Sequence, residues 1–132
     1  MGKCICSLVL MAFCMMPELA SPTIPPSSIN QERQALLNTG WWNDYRNISD
    51  HCDWVSIDCN EAGSVIAIYR GEIPSSQELL WIDKLNFTAF PNLEHLRLTG
   101  MGLKGSIPTQ ITTLTNLSYL VLSNNHLHGN FF

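Results

Sequence analysis

The stretch from Asn92 to Gly129 holds one pattern twice. At an offset of 24 residues, Asn92, Leu93, Leu96, Leu98, Leu103 and Gly105 recur as Asn116, Leu117, Leu120, Leu122, Leu127 and Gly129. A fixed period in the twenties with leucines spaced L-x-x-L-x-L describes a coil that cannot bury its apolar face alone and must stack on copies of itself. Such chains form solenoids, whose work is normally done by their surface. The strand period of two sends Leu96 and Leu98 inward and His95, Arg97 and Thr99 outward in the first copy. In the second it sends Leu120 and Leu122 inward and Tyr119, Val121 and Ser123 outward. Stacked in parallel, the outward six line one concave face. After the strand, Asn125 occupies a slot from which a carboxamide can satisfy backbone groups of neighbouring turns. Met101 fills that slot in the first copy, so the ladder is expected to be interrupted there, with Gly100 and Gly102 relieving the backbone.

What precedes the repeats is of another kind. Lys3 followed by the uncharged apolar run Ile5 to Met16, then small residues near Ala20, reads as a secretory signal peptide over 1–20, too short to span a bilayer core of ~30 Å. An uncleaved anchor is the alternative. Removing this leader takes Cys4, Cys6 and Cys14 with it and leaves Cys52 and Cys59, an even pair bound for an oxidising compartment. The net charge of −4 lacks the basic balance that nucleic-acid binding needs. Residues 21–28 carry three prolines and read as a linker. Ser28 stands three before Gln31, a capping-box spacing, and predicts a short helix to Asn38, ended by Gly40, with Ile29, Leu36 and Leu37 on one side and Trp41 and Trp42 just beyond. Val65 to Tyr69 reads as a strand entered through a turn at Ala62-Gly63. The connection 75–90 supplies Leu79, Leu80, Trp81, Ile82, Leu85, Phe87 and Phe90 as bulk against the next coil, with a turn of helix near Gln77 to Leu80.

Several motifs invite chemistry and lose to a structural reading. Cys52 to Cys59 encloses a small loop beside the first strand, and a structural disulfide is favoured over a metal site because no second thiol pair is present. Gly100-Met101-Gly102-Leu103-Lys104-Gly105 is a literal G-x-G-x-x-G. A phosphate loop needs a helix at the third glycine, where Pro108 follows closely instead, so neither a nucleotide nor any other cofactor is expected. His126 and His128 flank Leu127 as surface turn residues, without a third metal ligand nearby. No nucleophile-base-acid order stands out. Asp44, Asp50, Asp53, Asp58 and Glu61 form a solvated acidic surface. Asn47-Ile48-Ser49, Asn86-Phe87-Thr88 and Asn116-Leu117-Ser118 are N-x-Ser/Thr sequons, candidate sites of N-glycosylation in a secreted chain.

With these residues in place, the chain resembles the N-terminal part of a plant leucine-rich-repeat receptor-like kinase ectodomain. The resemblance is carried by Ala35-Leu36-Leu37, by Cys52-x-Trp54 to Cys59 ahead of Gly63-x-Val65, and by Leu93-x-x-Leu96-x-Leu98 running to Leu103-x-Gly105-x-Ile107-Pro108. It implies an α/β solenoid of plant-type leucine-rich repeats: a helical, disulfide-stapled N-terminal cap over 29–70, then repeats over 71–132 with short parallel strands on a concave face. It also implies a place outside the plasma membrane and a protein or peptide ligand, with a second leucine-rich-repeat chain as possible co-receptor. Met101 departs from the family's asparagine, and Ser56 stands where its cap often has glycine. The second repeat stops at Phe131-Phe132, before a membrane helix or kinase, so the chain reads as a truncated product or partial gene model, and no kinase activity is expected of these residues. Contact with a membrane would come only through a downstream segment. A small secreted repeat protein acting alone, as an enzyme inhibitor or decoy, is the alternative.

Overall fold

The computed structural model describes residues 26–71 and 80–129. The expected signal peptide, most of the linker, the helical turn near Gln77 and the terminal phenylalanines lie outside them. Helix α1 spans Pro26–Thr39, so Pro26 to Ser28 form its first turn rather than a linker, and Ser28 is not its cap. Proline is tolerated there because first-turn amides have no intrahelical acceptor in any case. Gly40 ends the helix at φ +77°, its amide donating to the Leu37 carbonyl at 3.1 Å. The buried stripe of α1 is Glu32, Ala35, Leu36 and Thr39, at helical spacing, with Ile29 and Leu37 only half-buried beside it.

Beyond α1, 3₁₀ turns at Asn43–Tyr45 and His51–Asp53 lead into β1 (Ile57–Cys59) and β2 (Val65–Arg70). Nothing in the sequence pattern marks β1. It is a three-residue strand that pairs antiparallel with β2. The Cys52–Cys59 disulfide ties it to the turn before it, with Cα atoms 5.7 Å apart. β3 (His95–Leu98) and β5 (Tyr119–Val121) follow in parallel, giving the order β1-β2-β3-β5. Ile68, Leu96 and Leu120 share one register, so the 24-residue period of the sequence becomes one strand step across the sheet. On the return side of each coil, β4 (Lys104–Ser106) pairs in parallel with β6 (His126–His128). His126 and His128 are therefore exposed strand residues, not turn residues.

The core runs between the two sheets and under α1. Trp41, Trp42 and Trp54 are buried at one end, Ile82, Leu85, Phe87, Phe90 and Leu93 in the middle. Trp81 is 38% exposed, yet it still meets the next coil: Lys104 donates its backbone N–H to Leu80, and a Cβ placed on Gly105 would lie 3.0 Å from the indole. Asn125 works as expected. Its Nδ2 donates to the Leu98 and Leu122 carbonyls at 2.7 and 3.0 Å, and its Oδ1 accepts from the Met101 and Leu103 amides. Met101 is buried, with glycines at φ +63° and +72° on either side. Leu117, Leu120, Leu122 and Leu127 are half-buried at the β5/β6 end.

Candidate binding face

Parallel pairing at one register brings the outward residues of β2, β3 and β5 onto one surface. Ala67, His95 and Tyr119 form one row across the strands, and Tyr69, Arg97 and Val121 the next. Thr99 and Ser123 follow beyond the strand ends, where the Thr99 amide donates to Arg70 and the Gly100 amide to Ser123. Arg97, Tyr119 and Ser123 are exposed, and His95, Thr99 and Val121 half-buried. All six expected residues thus share a face. Sequence reasoning left out Tyr69, which also belongs to it. Its hydroxyl lies 2.8 Å from His95 Nδ1, and the His95 ring meets Tyr119 edge-on at 5.7 Å between centroids. The result is a Tyr-His-Tyr chain of side-chain contacts that crosses the two rows, its last ring 47% exposed, with Arg97 two residues along the strand from His95. Such a surface offers apolar ring area, hydrogen-bond donors and positive charge together, a composition suited to protein or peptide contact.

Behind this face, charged residues are fastened. Arg70 occupies an inward register beside Leu98, where the repeat would place an apolar residue. Its Nη2 donates to the Trp41 carbonyl at 2.8 Å and its guanidinium sits over Trp42 at 5.4 Å. Burial lowers its pKa, against the opposing pull of Tyr45 and Asp44. Glu32 is fully buried and accepts hydrogen bonds from the Ser64 hydroxyl and, at 2.8 Å, from the Val65 amide. Asn92 donates to Ser64 at 3.0 Å, and buried His51 approaches Glu32 at 3.5 Å. This cluster joins α1, the turn at His51, the start of β2 and the segment before β3. A glutamate inside the buried spacing of α1 was its only signal in the sequence.

His51, Cys52 and Cys59 bring their ligand-type atoms within 4.8 Å of one another. The two sulfurs are bonded to each other and so provide no thiolate for a metal. Gly100, Gly102 and Gly105 have positive φ, but the third lies within strand β4, so no helix starts at it to hold a phosphate. The five acidic residues from Asp44 to Glu61 are all exposed. Asn47, Asn86 and Asn116 are exposed as well, and none of the three lies on a strand. Among the described residues no helix is long and apolar enough to cross a membrane.

No protein-family model matches the chain. It is 32% identical over 125 residues to the Arabidopsis thaliana leucine-rich repeat receptor-like serine/threonine-protein kinase RGI4, covering 81% of this chain and 10% of that protein. It is 33% identical over 114 residues to polygalacturonase inhibitor 1 of Oryza sativa subsp. japonica, covering 78% of this chain and 32% of that protein. The chain therefore spans a minor part of both relatives. Among solved structures, the BIR3–SERK2 complex from Arabidopsis thaliana matches at a TM-score of 0.44 and 22% identity, over 70% of this chain and 68% of that one. With a 24-residue period, the Asn125 carboxamide bridging two coils and a disulfide beside the first strand, the chain is similar to plant leucine-rich-repeat proteins, among them a receptor-like kinase and a polygalacturonase inhibitor.

Proposed function

We propose that this chain is an extracellular recognition module, the N-terminal cap and first coils of a receptor-type solenoid, and that it binds a peptide or a partner protein without catalysing a reaction. The observation that carries this reading is the contact chain Tyr69-His95-Tyr119, with Arg97 on the same face, set on parallel strands and not required by the core. Thr99, Val121 and Ser123 extend the same surface. Secretion through the 1–20 leader accounts for the disulfide and would expose Asn47, Asn86 and Asn116 to glycosylation. In this reading kinase activity and membrane attachment belong to other parts of a longer protein, and a second leucine-rich-repeat chain is a candidate co-receptor.

The test is binding of the secreted chain to an array of synthetic peptides, followed by Arg97→Ala and Tyr119→Ala on any peptide retained. Loss of about tenfold or more in affinity in either variant is expected, as for residues central to an interface. Unchanged affinity in both places recognition away from this face. Similarity to a polygalacturonase inhibitor favours a second reading, in which the chain acts alone on an enzyme. Slowed pectin hydrolysis by a polygalacturonase on addition of the chain would select it.

A further inference from the structure

Away from the concave face, α1 and the 3₁₀ turn Phe87–Ala89 enclose an open groove of uniform chemistry. Its floor contains the buried alanines Ala35 and Ala89, and its rim carries the exposed carboxamides of Gln31, Gln34 and Asn38 on the helix and Asn86 opposite. Among the described residues no charged one lines it. Asn86 is also the acceptor of a sequon, and its side chain is held by its oxygen alone. Oδ1 accepts from the Thr88 amide at 3.1 Å and from the Thr88 hydroxyl at 2.6 Å, while Nδ2 makes no hydrogen bond among the described residues. The residue that would be glycosylated thus lines the groove, with its nitrogen not engaged by the described residues.

We infer that this groove is a seat for the N-acetylglucosamine attached to Asn86 of the same chain. A pyranose has a weakly apolar face and a polar rim of hydroxyl and acetamido groups. The alanine floor leaves room for the former, and neutral carboxamides, each both donor and acceptor, match the latter without desolvating a charge. Tethering supplies a high effective concentration, so contacts too weak to hold free sugar hold this one. The seated sugar bridges α1 to the coil below it and so fixes the cap helix. The inference rests on the secretory reading above, since only a chain in the secretory pathway meets the glycosylating enzyme.

The test uses the full secreted glycoprotein in three forms: untreated, trimmed by an endoglycosidase to one N-acetylglucosamine per site, and fully deglycosylated. Occupancy is read by mass spectrometry and stability by thermal unfolding. The trimmed form is expected to keep the melting temperature of the untreated one, and full removal to lower it by about 4 °C. Gln34→Ala and Asn38→Ala should lower it in the trimmed form and leave the deglycosylated form unchanged. An Asn86→Gln protein expressed beside the wild type assigns the effect to this site rather than to Asn47 or Asn116. A secreted chain without glycan on Asn86 overturns the seat alone, whereas a chain that is not secreted overturns the secretory reading with it. Glycan present on Asn86 with equal melting temperatures in trimmed and deglycosylated protein overturns the seat alone.

Discussion

Glu32 shows how much one side chain can hold. A carboxylate fully removed from water is tolerable only because the Ser64 hydroxyl and the Val65 amide donate to it. Glu32→Ala would strand both donors and is expected to lower the unfolding free energy by about 2 to 4 kcal/mol, read from urea denaturation. Glu32→Gln keeps the shape and an acceptor and should cost less. A result in which Ala and Gln cost the same would show that the network contributes shape rather than hydrogen bonding. Asn125 is the counterpart in the repeats, with its carboxamide joining Leu98, Met101, Leu103 and Leu122 across two coils. Asn125→Ala should destabilise by about 2 to 3 kcal/mol in the same assay, because it leaves several part-buried backbone groups without their partner.

At the scale of elements, two short strands decide how coils meet. β1 covers the edge of β2 opposite β3, and the disulfide fixes it there across a separation of seven residues. By loop entropy the bridge is worth about 2.5 kcal/mol, so the Cys52→Ser/Cys59→Ser double variant should unfold at correspondingly lower denaturant. Equal midpoints for the two proteins would mean that the turn holds itself. On the return side, β4 brings Gly105 under the Trp81 ring at φ +98°. Gly105→Ala meets the indole at 3.0 Å and an unfavourable backbone conformation at once. A loss of about 1 to 3 kcal/mol in chemical denaturation is expected. An alanine protein as stable as wild type would show that the ring moves freely.

For the whole molecule, the asymmetry of its two ends matters most. One end is closed by α1, the tryptophans and β1, while β5 and β6 have no outer partner strand among the described residues and leave Leu117, Leu120, Leu122 and Leu127 half-buried. An uncovered sheet edge over half-covered leucines favours association. In sedimentation velocity the weight-average mass of the 132-residue chain should rise with concentration, and a chain extended by further repeats should sediment as a monomer. A concentration-independent monomer of the short chain would show that this end needs no covering.

The sequence by itself determined the repeat. Leucines at L-x-x-L-x-L and a lag of 24 residues leave one way to bury both coils, so strand β3, the parallel register, the inward Leu96 and Leu98 and the outward His95, Arg97 and Tyr119 were all legible. Cysteine parity likewise reached the disulfide. Features that depend on partners distant in the chain were decided only by the tertiary structure. β1 is too short to show a period, β4 and β6 contain glycine and histidine rather than strand formers, and a proline-rich segment enters α1 because first-turn amides are free there. Arg70 ends what reads as an ordinary strand, and its inward place is visible only once Leu98 lies beside it and Trp42 beneath its guanidinium. Glu32 falls at the apolar spacing of α1, and what makes its burial tolerable is visible only once Ser64 and Val65 are brought to it from more than thirty residues away. Periodicity reports which side a residue takes within its own element, whereas the group it meets there is set by the packing of the others.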